Sequence, residues 1–324
     1  MRSLIIDTDG GIDDAVALWW ALTRPDVEVV AVLATWGNVG ADGAALNVAR
    51  ILTAAGRTDV PLALGAAGPV GPAPLMTRAE HVHGPDGLGG SGDRWPAAVG
   101  VSPEPAGEML ARLTAERPGE LDLVTVGPLS TVAAALAGDP GIAARTRSLT
   151  VMGGSIAAGG NALPLAEANI AHDPEGAAAV VSAGWAGERA PLLVGLDVTA
   201  LALLGPDDLA AADAAGSTAG RFLVDPLHYY ADYYTRSGSA PVGWSPCHDL
   251  VATIAAVDDD LVTDAPTVPL AVDTGRSAAW GATVADLRAR PELDEAPAGF
   301  TPWRVALRAD IDRFQAAFHA LVAG

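Results

Sequence analysis

The amino-acid sequence predicts an α/β fold with a mostly parallel central sheet, doubly wound and Rossmann-like. Short apolar segments rich in β-branched residues, such as Val27–Ala34, alternate with helical stretches along the chain. Polar residues collect directly after these segments, where parallel strands reach the ligand-binding edge of a sheet. No repeat, low-complexity tract or linker breaks the alternation, so we expect residues 1–324 to form a single domain.

The predicted elements follow one another from the first residues on. Strands are predicted at residues 4–6, 27–34, 60–64, 121–126, 148–152 and 191–196. Helices are predicted from residues 15 and 174 onward and at residues 44–54, 104–116, 129–136, 206–214, 219–234, 248–257 and 310–322. Segments 263–273 and 281–287 resemble strands and predict a small antiparallel addition. Residues 65–103, rich in Gly and Pro, are expected to form a binding loop.

The amino-acid composition narrows the kinds of molecule that this protein can bind. Half of the residues are apolar, which is enough for a sizeable core. The net charge of -20 disfavours nucleic acid and anionic membrane surfaces as partners. No apolar run approaches the ~20 residues that a membrane span needs. All basic residues are arginine, so a lysine Schiff base and a Walker-type phosphate loop are excluded.

The cysteine content and the start of the chain bear on localisation. The single cysteine, Cys247, excludes an intramolecular disulfide and fits a reducing compartment. A strand is expected almost at the first residue, which leaves no room for a signal peptide. We therefore expect a cytoplasmic protein.

Residues 7–14, here called the acidic turn, place four carboxylates between a predicted strand and a predicted helix. Gly10 and Gly11 let the backbone turn sharply between the two elements. Acids this close repel one another unless a cation neutralises them, and hard oxygen ligands suit Ca²⁺ or Mg²⁺. A helix N-cap in a solvated turn would explain only one or two of these acids, which are Asp7, Asp9, Asp13 and Asp14.

A second polar segment runs from Asn161 to Glu175 and combines carboxylates with amides. Glu167 and Asn169 are two residues apart, so their side chains leave the same face of an extended chain. A carboxylate and two amides can hold vicinal hydroxyls through oriented hydrogen bonds. A polar loop leading into a capped helix is the structural alternative for this segment.

Both segments resemble those of the inosine–uridine-type nucleoside hydrolases, calcium-dependent N-ribohydrolases. The signature of that family reads Asp-x-Asp-Pro-Gly-x-Asp-Asp, and a later segment reads Glu-x-Asn-x-x-x-Asp-Pro-Glu. Gly10 stands where the family has proline, a departure expected to loosen the turn, and Ser130-Thr131 stands where it favours Thr-Asn. Further matches follow in the family's order: the loop 83–89, Gly127-Pro128-Leu129, Met152-Gly153-Gly154, Leu196-Asp197-Val198-Thr199 and His248-Asp249.

The resemblance implies the nucleoside hydrolase fold and hydrolysis of the N-glycosidic bond of ribonucleosides to free base and ribose. It also implies Ca²⁺ as cofactor, and Asp9 would take a proton from the metal-bound water that attacks the anomeric carbon. His248 would act as the general acid that helps the base to leave. The implied metal ligands are the carboxylates of Asp9, Asp14 and Asp249 and the backbone carbonyl of Val126.

The resemblance further implies a pocket for a small-molecule ribonucleoside and a homodimer or homotetramer. Asp197 is the exception among the matching residues, because a turn former at a strand end is the favoured interpretation of it. The residues implied to bind the substrate are Asp13, Asn38, His83, Met152, Asn161, Glu167 and Asn169.

Aromatic residues near the predicted site could stack on a base. The tyrosines at positions 229, 230, 233 and 234 have helical spacing, which fits base stacking and core or subunit packing equally well. Trp36, beside Gly37 and Asn38, is the better stacking candidate by its position in the sequence.

Two other functions remain open from the residues alone. Asp7 and Asp9 after a strand also resemble the first motif of haloacid-dehalogenase-type phosphatases, with Asp7 as nucleophile and Asp9 as acid. That interpretation needs a later basic residue at the phosphate and a closing acidic pair, and the chain has no lysine. The other alternative is a homologue that binds a nucleoside or ribose without turning it over.

Overall fold

The computed structural model describes residues 1–71, 76, 78–288 and 298–324. Residues 72–75 and 77 of the predicted binding loop therefore lie outside the described residues. The strands of the described part are β1 Arg2–Thr8, β2 Val27–Ala34, β3 Leu62–Leu64, β4 Val101–Ser102, β5 Leu121–Thr125, β6 Ser148–Met152, β7 Leu192–Val194, β8 Leu203–Leu204, β9 Ser245–Pro246, β10 Val262–Asp264, β11 Thr267–Val272, β12 Thr283–Ala285, β13 Thr301–Val305 and β14 Arg308–Ala309.

The helices lie between these strands, and a short 3₁₀ turn spans Gly92–Arg94. Among the described residues, none of the helices is long and apolar enough to cross a membrane. The helices are α1 Ile12–Thr23, α2 Ala41–Ala54, α3 Glu80–His83, α4 Ala106–Glu116, α5 Ser130–Gly138, α6 Gly141–Arg145, α7 Ala168–His172, α8 Pro174–Val181, α9 Leu196–Thr199, α10 Pro206–Ala215, α11 Thr218–Ser237, α12 His248–Val257 and α13 Ile311–Ala323.

Ten of the described strands form one sheet in the order β12-β11-β13-β7-β6-β5-β1-β2-β3-β4. Neighbouring strands are parallel from β4 through to β13, whereas β11 pairs antiparallel with both β13 and β12. The predicted mostly parallel sheet with a small antiparallel addition is therefore confirmed. Two further two-stranded sheets, β8-β9 and β10-β14, lie outside it.

Helices cover both faces of the sheet, and successive residues of β1 point into two different hydrophobic cores. Leu4 and Ile6 belong to the core beneath α1, α2, α11, α12 and α13. Ile5 belongs to the core beneath α4, α5, α6 and α8. A central strand that is buried on both faces has few polar residues, which explains the continuous apolar run at the start of the chain.

The order of the strands reverses beside β1. The chain proceeds from β1 to β2, β3 and β4 on one side, and β5, β6 and β7 follow on the other side. In open α/β sheets the crevice at such a reversal, outside the carboxyl ends of the strands, is where ligands bind. The acidic turn follows β1, and Val126 and Gly153 follow β5 and β6 at the same edge.

The sequence does not reveal the shortest helices. Helices α6, α7 and α9 have at most five residues each, and two of them lie where a turn or a polar loop was expected. Helices this short are marginal by themselves, so tertiary contacts decide them. The predicted binding loop likewise contains α3, β4 and the 3₁₀ turn.

Candidate active site

Asp14 is the best-anchored carboxylate of the acidic turn. Its Oδ1 accepts hydrogen bonds from the Thr8 hydroxyl at 2.5 Å and from the Asp9 amide at 3.1 Å. Its Oδ2 accepts from the Gly11 amide at 2.8 Å and from the Asn38 side chain at 3.1 Å. The turn after β1 is therefore held around this one side chain.

Asn38, in the loop after the neighbouring strand β2, holds Asp9. Its backbone amide donates to Asp9 Oδ2 at 2.7 Å, and its side-chain amide donates to Asp9 Oδ1 at 2.8 Å. The approach is so close that a Cβ on Gly37 would lie 2.0 Å from Asp9 Oδ2. Asn38, expected to bind substrate, thus also fixes the orientation of Asp9.

Gly10 closes the acidic turn tightly. Its φ of +71° lies in the left-handed region, and a Cβ there would approach the Cα of Ala44 to 2.6 Å. Its carbonyl accepts a hydrogen bond from the Asn47 side chain at 2.9 Å. Packing against Ala44 and this hydrogen bond hold the turn, and the looser turn expected from glycine in place of proline stays a prediction.

The buried acids repel one another. Burial, and then the charge of Asp14, raise the pKa of Asp13 to about 7 and raise the pKa of Asp9 well above its usual value. The pKa of Asp249 is raised too, mainly by burial and then by the charges of Asp13 and Asp14. Bringing a divalent cation among these carboxylates would favour their ionised forms.

The oxygen atoms of three carboxylates converge closely enough to hold an ion. One oxygen each from Asp13, Asp14 and Asp249 lies within 4.8 Å of the others, and all three residues are buried. Oxygen ligands of this kind fit a hard divalent cation. Asp14 and Asp249 were predicted as ligands. Asp9, also predicted, lies outside this trio, whereas Asp13, predicted to bind substrate, belongs to it.

Asn169 connects two strand ends at the cavity. Its side-chain amide donates to the carbonyl of Val126 at 3.1 Å and to the carbonyl of Met152 at 3.2 Å. The Val126 carbonyl, a predicted metal ligand, therefore points to the same side as the amide of a predicted substrate-binding residue. This contact ties the edge of β5 to that of β6.

Glu167 caps helix α7 instead of standing free in an extended segment. One carboxylate oxygen accepts a hydrogen bond from the backbone amide of Asn169 at 2.9 Å. The other accepts from the amides of Gly154 and Ile170 at 3.0 and 3.2 Å. Burial raises the pKa of Glu167, although these backbone bonds act in the opposite direction. The Asn161 side chain accepts from the Ala168 amide at 3.0 Å, at the start of the same helix.

His248 begins α12 and lines the cavity. Its Nδ1 lies 2.8 Å from the hydroxyl of Thr199, while its Nε2 is buried without a partner among the described residues. Burial lowers the pKa of His248 to about 4, so the ring is neutral near pH 7.

His83 reaches the acidic turn from the loop after β3. Its Nδ1 accepts a hydrogen bond from the Ile12 amide at 3.1 Å, and its ring packs on Tyr230 with 5.1 Å between ring centroids. Because Nδ1 is an acceptor, the single ring hydrogen of neutral His83 lies on Nε2. Burial lowers the pKa of His83 to about 3.

All seven residues expected to bind substrate line one cavity. The predicted residues His248, Asp249 and Val126 line it as well, while Asp9 and Asp14 lie behind its wall and are buried. Aromatic side chains form another part of the lining, contributed by His81, Tyr230, Tyr233 and Tyr234.

Trp36 is not part of this cavity lining, so its interpretation as the stacking residue is wrong. The side chain is 6% exposed, packs edge-on against His172 and donates its indole N–H to the Ser130 hydroxyl at 3.0 Å. Tyr230, Tyr233 and Tyr234 of α11 line the cavity instead, whereas Tyr229 does not. Their helical spacing allowed this role without favouring it.

Comparison with known proteins identifies the family of this chain. The sequence pattern of the family described as inosine-uridine preferring nucleoside hydrolase matches residues 4–316. A probable uridine nucleosidase 2 of Oryza sativa subsp. japonica is 33% identical, with 96% of this chain and 90% of that protein aligned. A non-specific ribonucleoside hydrolase RihC of Salmonella agona is 37% identical, with 96% and 94% aligned. The structure of a plant nucleoside hydrolase superposes with a TM-score of 0.92 at 30% identity, covering 100% of this chain and 99% of that one.

The chain belongs to the inosine–uridine preferring nucleoside hydrolase family. It is a nucleoside hydrolase that cleaves the N-glycosidic bond of ribonucleosides. The phosphatase interpretation is wrong, and the structure gives the physical reason. The Asp7 carboxylate, proposed there as nucleophile, is fully buried and has no hydrogen-bond partner within the described ranges.

Sequence reasoning missed two polar residues of this nucleoside hydrolase. Asn47 of α2 is fully buried, and its side-chain amide donates to the carbonyls of Gly10 and Asp86 at 2.9 and 2.7 Å. It thereby joins the acidic turn to the loop that carries His83. Thr199 is the second: it belongs to a motif that matches the family, but its contact with His248 was not expected. In the sequence, the only signal of Asn47 is that a polar residue stands among the apolar positions of a predicted helix.

Proposed function

We propose that the hydrolase holds Ca²⁺ at the base of this cavity, with the carboxylates of Asp14 and Asp249 as ligands. The supporting observation is the convergence of buried oxygens from Asp13, Asp14 and Asp249 within 4.8 Å. Asp9 and the Val126 carbonyl would complete the set implied by the family resemblance. A cation bound there would lower the pKa of water and orient sugar hydroxyls.

Asp9 would accept the proton of the attacking water. Both of its oxygens are oriented by Asn38, at 2.7 and 2.8 Å, so the carboxylate does not need to reorganise. A bound cation would favour the ionised form of Asp9, which is the form that a general base needs to accept a proton.

The remaining carboxylates and amides would hold ribose. N-glycosidic cleavage passes through an oxocarbenium-like sugar, which nearby carboxylates stabilise. Asp13, one of the three converging acids, and Asn169 line the cavity and would bind the hydroxyls close to the cation. Asn161 and Glu167 line the cavity from the start of α7, and would bind the far side of the sugar.

The base would lie against His83, His248 and Tyr230. A departing base accumulates negative charge, so hydrogen-bond donors directed at it promote cleavage. His248 would donate a hydrogen bond to the leaving group through Nε2. His83, from the loop after β3, would be the second imidazole beside the base. Uridine is the first substrate to test, since several relatives carry the name uridine nucleosidase.

We also propose that residues 1–324 act as one catalytic domain in a homodimer or homotetramer in the cytoplasm. The continuous ten-stranded sheet of the described residues, which takes strands from both ends of the chain, supports the single domain. The buried, unpaired Cys247 is compatible with a reducing compartment.

A nucleoside panel with and without chelator tests the proposal. Purified protein with Ca²⁺ should release base from uridine and inosine, lose this activity in EDTA and regain it when Ca²⁺ is restored. A site that bonds the sugar hydroxyls should reject the 2′-deoxy analogues by about 10⁴–10⁵-fold in kcat/KM. Full activity in EDTA would remove the cation from the mechanism, and equal rates on deoxynucleosides would remove the hydroxyl contacts.

A further inference from the structure

Thr199 and His248 lie on different helices and meet through one buried contact. His248 Nδ1 is 2.8 Å from Thr199 Oγ1, and the two residues are 7% and 0% exposed. Thr199 ends the Leu196–Thr199 helix α9, a motif to which the proposed reaction gives no role. It does not line the cavity, so any effect on the reaction must act through His248.

The hydrogen atoms of this contact can be assigned by counting donors and acceptors. A neutral imidazole carries one hydrogen, on Nδ1 or on Nε2. If Nδ1 carries it, the Thr199 oxygen accepts and its own hydroxyl hydrogen has no acceptor, because His248 is its only partner in the described part of the chain. A buried donor without an acceptor costs about 1–3 kcal/mol. If Nε2 carries it, the Thr199 hydroxyl donates to Nδ1, and the donor left without a partner is Nε2–H of a ring that lines the cavity, where a ligand or water can accept from it.

The second arrangement determines what His248 presents to a ligand. Its Nε2 is buried without a partner among the described residues, and the ring lines the cavity. We propose that Thr199 is a positioning residue that selects the Nε2–H tautomer of His248. The ring then offers a hydrogen-bond donor, instead of a lone pair, to nucleobases that carry an acceptor oxygen or nitrogen. This inference rests on the proposed function only for the identity of that acceptor.

The position of Thr199 is itself fixed by the preceding residues of α9. Asp197 accepts from the amides of Ile156 and Ala157 at 2.8 and 2.7 Å, and from the amide of Ala158 at 3.2 Å. These amides belong to the loop that leads to Asn161 in the cavity lining. One helical turn thus carries a hydroxyl for His248 and a carboxylate for the opposite loop. The expectation that Asp197 is structural agrees with these contacts.

Imidazole ¹⁵N spectroscopy tests the tautomer directly, without substrate or cation. The full-length protein is labelled at histidine nitrogens, and the signals of His248 are identified by their loss in His248→Gln. We expect a protonated Nε2 and an unprotonated Nδ1 in the wild type, and a mixture or the opposite tautomer in Thr199→Val. A protonated Nδ1 in the wild type, or no change in Thr199→Val, would overturn the inference.

Kinetics with two leaving groups test the consequence. Thr199→Val should lower kcat/KM for uridine by about 10–100-fold, the size of one lost buried hydrogen bond. Turnover of p-nitrophenyl riboside, whose leaving group needs no proton, should be nearly spared, and Thr199→Ser should restore uridine turnover. A Ser variant as slow as the Val variant would contradict the hydroxyl's role.

Thr253→Val is the matched control. Thr253 is fully buried on α12, and its hydroxyl has no hydrogen-bond partner within the described residues, so the same substitution removes no contact. Its uridine turnover should stay near that of the wild type. If the ¹⁵N result holds while Thr199→Val slows both substrates equally, the tautomer inference stands and the proposed leaving-group role of His248 falls.

Discussion

The turns after β1 and β6 bury carboxylates at the same edge of the sheet but satisfy them in different ways. In the acidic turn, Asp9 and Asp13 face other acids, and this repulsion adds to burial in raising their pKa values. After β6, Glu167 faces three backbone amides at 2.9–3.2 Å, which act against the effect of burial on its pKa. The first region needs a cation for its charges to be favourable, whereas the second needs only its own backbone.

This contrast separates two kinds of buried acid. A carboxylate among backbone amides stabilises the fold, since each bond satisfies a donor that would otherwise be buried unpaired. A carboxylate among carboxylates costs stability in the isolated chain and binds a cation strongly for the same reason. The two regions should therefore respond in opposite directions to neutralising substitutions.

The largest effect is expected from Asp249→Asn, because Asp249 of α12 faces Asp13 and Asp14 of the acidic turn. Loss of this carboxylate should lower kcat by about 10²–10³-fold, the cost of removing one major electrostatic contact, and should abolish the rise in Tm with Ca²⁺. In EDTA near pH 7 the variant should melt above the wild type. The folded-state pKa of Asp249 is raised, so its stabilisation is present at low pH and is lost as pH rises through that pKa. A metal-free variant that melts below the wild type would contradict the repulsion.

Glu167→Gln should have a smaller effect of the opposite kind. A glutamine offers one acceptor oxygen to three amides, so the free energy of unfolding in urea should fall by about 1–3 kcal/mol. The rise in Tm with Ca²⁺ should persist. Glu108→Gln on the exposed side of α4 is the control and should stay within about 0.5 kcal/mol of the wild type. An unchanged Glu167→Gln stability would show that these amides do not depend on the carboxylate.

The smallest effect is expected from Asp7→Asn. Burial, and then the charge of Asp14, raise the pKa of Asp7 well above its usual value. The wild type should therefore lose stability as pH rises from the unfolded value of about 3.9 through the folded pKa. The variant should show a flatter dependence of unfolding free energy on pH and greater stability at pH 7. A variant that is less stable than the wild type at pH 7 would mean that Asp7 is ionised and paired.

Local chemistry explains which parts of the site the sequence could predict. The acidic turn lies within eight residues between a strand and a helix, so its position at the sheet edge follows from short-range pattern. Glu167 was expected to bind substrate from an extended segment, but it caps α7, and its two oxygens accept hydrogen bonds from three backbone amides. Five helical residues in an Ala-rich segment leave no periodic signal to predict that helix.

Contacts between distant segments were the harder part. Tyr230 reaches His83 from another helix, and Thr199 reaches His248 across 49 residues of sequence. The packing of helices on the sheet produces both contacts, so neither follows from spacing in the chain. Trp36 shows the same limit, since its position two residues before Asn38 in the sequence does not place it in the cavity.

Gly10 limits how this chain can be engineered. Replacing an unusual residue by the one common in its family is a standard route to higher stability. At position 10 that route is closed, because proline fixes φ near −65° whereas this backbone has φ +71°. The Asn47 bond to the Gly10 carbonyl and the contact with Ala44 suit the glycine geometry, so a proline at position 10 would also require changes in the turn and in α2.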